Sequence, residues 1–168
     1  DISALANLRN LEMLTISNNN IRDISALASL INLVELEMEN AGIRDISPLM
    51  GLTKLVDLNL RYNSITDISP LANLTNLRWI HLHDNKITDI SPLAAAEFSS
   101  LEILELSMNQ ITKIISFSNM PNLADLSLEL NNISDLSPLS AAKLPKLAKL
   151  YLGCNPISDL TGIANLKS

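Results

Sequence analysis

Leucine and isoleucine recur along this chain at spacings that fit neither a long helix nor an ordinary strand. In residues 55–77, LVDLNLRYNSITDISPLANLTNL, apolar side chains fall at Leu55, Leu58 and Leu60, then at Ile65, Ile68, Leu71 and Leu74. At Leu77 the order starts again. Over residues 57–61 apolar and polar positions alternate, which predicts a short strand with Leu58 and Leu60 inward and Asp57, Asn59 and Arg61 outward. Asn63 then marks a turn, because its amide offers two donors and an acceptor to backbone groups that the turn buries. Ser69-Pro70 predicts the start of a helical turn, with serine as the cap and proline in the first turn, where its missing N–H is not needed. Two residues between Leu71 and Leu74 leave room for a single tight turn of the 3₁₀ type.

The same unit starts at Leu11, Leu33, Leu55, Leu77, Leu101, Leu123 and Leu147, in steps of 22, 22, 22, 24, 22 and 24 residues. A period of this size in the order L-x-x-L-x-L-x-x-N-x-I is a leucine-rich repeat. The expected fold is an α/β solenoid: a parallel sheet on the concave side and short 3₁₀ or α turns on the convex side. Residues 1–168 form one array of about seven units. Asn19, Asn63, Asn85, Asn109, Asn131 and Asn155 make a ladder of turn asparagines, which Ala41 interrupts. An irregular turn or a buried water is expected there. The alanines of the two 24-residue units, at 94–96 and 141–142, predict a fuller α-helical turn and a convex bulge. After Asn109 the pattern changes: Lys113 stands where other units have Asp, and Ile115-Ser116-Phe117 replaces Ser-Pro-Leu, so the helical turn is expected to be lost. The chain opens inside a unit and stops before the next leucine, without the polar caps a solenoid needs. The expectation is an excerpt of a longer array.

Composition narrows the function. Hydrophobic residues make up 47% and aromatics only 3%, which suits many thin aliphatic layers. A net charge of −6 argues against nucleic acid and against an anionic membrane surface. No stretch approaches the roughly 20 unbroken apolar residues of a membrane span. Cys154 is the only cysteine, so no intrachain disulfide can form.

The segment DISPLANLTNL at 67–77, with partial matches at 45–49, 89–93 and 135–139, resembles the internalin type of bacterial leucine-rich repeat. The resemblance implies a right-handed solenoid on a bacterial surface or secreted protein, with the concave sheet binding a protein partner, often on a host cell. The leucine-rich regulatory subunit of a protein phosphatase is similar in period but generally lacks the repeated Ser-Pro. It supplies the alternative, a cytoplasmic regulatory scaffold.

Candidate chemistry falls on the outward strand positions and the adjoining rim, which the scaffold leaves free to vary. In the first unit these are Met13, Thr15, Ser17 and Asn18, and every later unit supplies equivalents. Trp79, His81 and His83 face one way, with Arg61 and Tyr62 one strand back: the composition of an interaction hot spot. Scattered exposed aromatics are also normal on any surface. Glu35, Glu37 and Glu39, beside Asp57, read as either a solvated face or a contact for a basic partner. His81-x-His83 with Glu105 invites a metal, but zinc needs three or four closing ligands and the pattern does not supply them. Carboxylate pairs such as Glu105 and Asp125 sit on an open face with no Gly-rich loop or nucleophile motif. The sequence therefore points away from an enzyme, a cofactor or a metal, and towards a protein-binding module, with Glu105 among its candidate partner contacts.

Overall fold

The computed structural model describes residues 1–166. Seven strands, β1 (Met13–Thr15), β2 (Glu35–Glu37), β3 (Asp57–Asn59), β4 (Trp79–His81), β5 (Ile103–Glu105), β6 (Asp125–Ser127) and β7 (Lys149–Tyr151), form one parallel sheet in chain order. The register is strict: Leu14, Leu36, Leu58, Ile80, Leu104, Leu126 and Leu150 pair in one row. That row follows from the repeat, since equal units return each leucine to the same height. Hydrogen bonding continues past the strands, with Leu60 N–H on the His81 carbonyl and Tyr62 N–H on the His83 carbonyl, both at 2.9 Å. Arg61 and His83 are therefore held by the ladder although they lie beyond β3 and β4.

The core is a stack of buried leucine and isoleucine layers, with Phe98 and Phe117 as the largest insertions. Each unit contributes few apolar atoms, and burial is completed only by its neighbours.

The asparagine ladder closes the turns. Asn63 Nδ2 donates to the carbonyls of Met38, Leu60 and Arg61 at 2.9–3.0 Å, and its Oδ1 accepts from Ala41 and Ile43 N–H. At Ala41 the backbone substitutes for the missing side chain. Elsewhere the side-chain oxygen accepts the N–H two residues beyond the preceding ladder asparagine, as Asn85 Oδ1 does from Ile65. In the second unit the Ala41 carbonyl accepts that bond from Ile21 N–H at 2.9 Å. The 41–42 peptide is turned over relative to its equivalents, and residue 42 takes φ of +81°, which glycine adopts without strain. The expected irregular turn is present.

Among the described residues, seven 3₁₀ turns form the opposite side: Ser3–Asn7, Ser25–Ser29, Ser47–Leu49, Ser69–Asn73, Ser91–Ala94, Ser137–Ala141 and Thr161–Ile163. Two expectations need correction. Serine does not cap these turns. The aspartate two residues earlier does, as Asp67 Oδ1 accepts Ser69 N–H at 2.8 Å and Asp67 Oδ2 accepts the Ser69 hydroxyl at 3.0 Å. Nor do the 24-residue units form α-helix; Ser91–Ala94 and Ser137–Ala141 stay 3₁₀. A few alanines cannot repay helix nucleation where the chain must return to the sheet at once. In the unit carrying Lys113 the turn is lost, as the missing aspartate predicts. Phe117 is buried there at φ of +54°.

Candidate functional site: the concave sheet face

The outward positions assemble into columns that cross the sheet. One row joins Glu37, Asn59, His81, Glu105, Ser127 and Tyr151. Its centre is a cluster reaching over three strands. The Arg61 guanidinium crosses β4 to bond Glu105 Oε2, with Nε at 3.0 Å, and its Nη2 lies 3.0 Å from His81 Nδ1. His81 Nδ1 is also 3.0 Å from Glu105 Oε2. The bonds from His81 and Arg61 hold the Glu105 carboxyl down at about 2, outweighing burial, which pushes the other way. Neutral His81 can accept from Arg61, whereas His81 protonated at Nδ1 donates to Glu105.

Tyr62 and His83 meet edge-on, with ring centroids 5.2 Å apart. Tyr62 occupies the rim, where every unit places a residue in the left-handed region: Asn18, Asn40, Tyr62, Asp84, Met108, Leu130 and Cys154 have φ between 50° and 59°. This conformation is disfavoured for side chains other than Asn and Asp. The ladder bonds on either side impose it, and it turns the rim side chains outward.

Between these groups lies a concavity of about 420 Å³. Arg61, His83 and Glu105 line it, Ser107 and Ser127 form its floor, and Glu39 and Glu129 stand at its margins. The two serine hydroxyls are buried and hydrogen-bond each other. Ser107, Ser127, Glu129 and Leu130 were not among the residues singled out from sequence. Their one signal was position, since small side chains at 107 and 127 open space on an otherwise crowded face.

The other candidates divide. Trp79 lies on β4 on the far side of the strand row from Tyr62, half-buried, with the Arg78 guanidinium 4.9 Å from its ring centroid. Arg78 in turn bonds Glu102 at 2.8 Å. Glu35, Glu37 and Glu39 are half-buried along β2 and its extension, and none has an ion-pair partner among the described residues. Asp57 sits between them and β4. Burial raises its carboxyl above the usual range despite His81 nearby, and its Oδ1 has no hydrogen-bond partner among the described residues. The structure thus brings Arg61, Tyr62, His81, His83 and Glu105 together, and leaves Trp79 and the glutamates as flanks. Among the described residues no group of three His, Cys, Asp or Glu side chains is placed to hold a metal ion. No helix among them is long and apolar enough to cross a membrane.

Comparison with known proteins places the array. A model of paired leucine-rich repeats matches residues 9–49, 31–73, 53–95, 75–119 and 121–165. The crystal structure of an internalin, inlF of Listeria monocytogenes, is 35% identical with a TM-score of 0.82, over 98% of this chain and 54% of that one. Internalin C2 of the same species is 34% identical with a TM-score of 0.70, over 96% of this chain and 80% of that one. A leucine-rich-repeat protein of Leptospira interrogans is 27% identical, with a TM-score of 0.78 over 91% of this chain and 40% of that one. This chain therefore spans about half of inlF and most of internalin C2. No match was found among curated protein sequences. With repeat models matched from residue 9 to 165 and the internalins aligned along nearly its whole length, the chain belongs to the leucine-rich-repeat family, in its internalin class.

Proposed function

We propose that the array binds a protein partner through its concave face, as part of a bacterial cell-surface or secreted protein of the internalin kind, and that a host surface protein is the class of partner. Leucine-rich repeats are protein–protein interaction modules and are generally non-enzymatic. The observation that carries the reading is the Arg61–His81–Glu105 cluster. Repeat packing requires none of the three, yet they are locked together across three strands. Side chains ordered before binding lose less entropy when a partner arrives. Tyr62, His83 and Trp79 add aromatic contact area, and aromatic residues with arginine are enriched at binding hot spots. Glu35, Glu37, Glu39 and Asp57 extend the same face with negative charge, which favours association rate and specificity towards a complementary surface.

The test uses the full-length protein and a partner isolated with it. Trp79→Ala is expected to weaken that complex by about 2 kcal/mol, roughly thirtyfold. Unchanged affinity in a folded variant would move the interface off β4. The cellular setting is tested by the complete gene: a signal peptide with a wall anchor supports the surface reading. A complete gene with neither would replace it with an intracellular regulatory scaffold.

A further inference from the structure

The charge of this chain is not spread over it. The outward strand positions and the rim carry eight of the eighteen acids against two bases, Arg61 and Lys149. That face alone therefore holds a balance of −6, and the ten acids and ten bases elsewhere cancel. Both bases on the face are already engaged, Arg61 by Glu105 and Lys149 by Asp125 at 3.0 Å. Glu39 and Glu129 are not. Neither carboxylate has a side-chain partner among the described residues, and both border the same concavity, at opposite ends. Four strand steps separate them, on the order of 19 Å along the sheet at about 4.8 Å per step.

The floor between them has a donor to spare. Ser107 and Ser127 are more than nine-tenths buried, at 6% and 9% exposure, and share one hydrogen bond. Two hydroxyls carry two hydrogens, so one O–H is left without an acceptor among the described residues. A carbonyl oxygen laid across the floor would accept it. Tyr62 and Leu130, exposed at the rim, offer apolar contact beside the same trough.

We infer that the trough from Glu39 to Glu129 receives an extended basic segment of the partner protein, with lysine or arginine side chains meeting the two end carboxylates and its backbone crossing the Ser107–Ser127 floor. About six residues at roughly 3.4 Å each span that distance. The centre of the trough is neutralised by Arg61 and the ends are not, so the segment is basic at its two ends and neutral or small between them. The inference rests on the concave-face reading and specifies the chemistry of what that face takes.

The experiment titrates the full-length protein with an acetylated, amidated peptide of six residues, arginine at each end and glycine between, and separately with its glutamate–glycine counterpart. The arginine peptide is expected to shift the backbone resonances of Ser107, Ser127 and Glu129, and the glutamate peptide to leave them in place. Glu39→Gln with Glu129→Gln is expected to weaken arginine-peptide binding at least tenfold. Glu12→Gln with Glu97→Gln, which removes the same charge from exposed positions off this face, is expected to change it less than twofold. Equal losses in the two pairs would reduce the effect to net charge and overturn the inference, as would shifts outside the trough. The isolated partner then separates this inference from the broader reading. Binding lost on Trp79→Ala but indifferent to the Glu39/Glu129 pair would keep the concave interface and discard the basic segment.

Discussion

Asn85→Ala tests the physical basis of the turns most sharply, because the second unit already contains the corresponding natural substitution. Asn85 is 5% exposed, and its side chain makes three bonds: Nδ2 to the carbonyls of Leu60 and Leu82 at 3.0 and 3.1 Å, and Oδ1 from Ile65 N–H at 3.0 Å. The two carbonyls each keep another donor, Asn63 for Leu60 and Asn109 for Leu82. Ile65 N–H keeps none. The truncation thus weakens two carbonyls and orphans one buried N–H, for an expected loss of about 3 kcal/mol, the last of these costing about 1–3 kcal/mol alone. At Ala41 the orphan is rescued by turning over the peptide, which needs glycine at the next position. Lys86→Gly should therefore partly rescue Asn85→Ala, although glycine alone costs chain entropy. The assay is a double-mutant cycle by urea denaturation, with hydrogen exchange at Ile65 as the local readout. A loss below about 1 kcal/mol for Asn85→Ala, or strict additivity of the two changes, would show that the side-chain amide does not hold the turn.

Two carboxylates on the sheet should show opposite pH behaviour. Glu105 has its folded value lowered to about 2, so its contribution is present above the unfolded value and is lost as pH falls from about 4.5 towards 2. Screening of a partly exposed group limits that contribution to about 1–2 kcal/mol, and Glu105→Gln should lower stability at pH 7 and make little difference at pH 2. Asp57 has its folded value raised, so its charged form opposes folding at neutral pH. Asp57→Asn should raise the melting temperature at pH 7, with the gain shrinking in acid; a gain that persists unchanged at low pH would contradict the burial argument. Asp89→Ala removes the acceptor of both the Ser91 N–H and the Ser91 hydroxyl, and should lower the melting temperature while leaving partner affinity unchanged.

The fold was readable because its cause is repeated. Equal spacing returns Leu58, Ile80 and Leu104 to one row, and no irregular packing has to be guessed. The aspartates were legible as part of each return turn, but their role was not. Serine at the start of a helical turn reads as a cap, and only the Asp67–Ser69 geometry shows the cap lying two residues earlier. The left-handed rim gave no warning, since Tyr62, Met108 and Leu130 are residues that local preference would keep out of that conformation. The ladder overrides the preference. At the site, the outward positions followed from alternation alone, whereas the bond from Arg61 to Glu105, 44 residues on, depends on how far one side chain reaches across a neighbouring strand. The serine floor was missed because small residues on a strand open space only against larger neighbours, which the sequence does not place.

On the proposed function, the variable side chains of the concave face bind the partner, while the repeated positions only build the scaffold. The most direct measurement compares the affinity of the isolated partner for three forms of the full-length protein. These are the wild type, Arg61→Ala with Trp79→Ala on the sheet face, and Glu97→Ala with Lys143→Ala on the extended return turns. At least a hundredfold loss is expected for the sheet-face pair, about 2.7 kcal/mol, and less than a twofold change for the return-turn pair. The reverse order, with both variants folded, would contradict the proposed function.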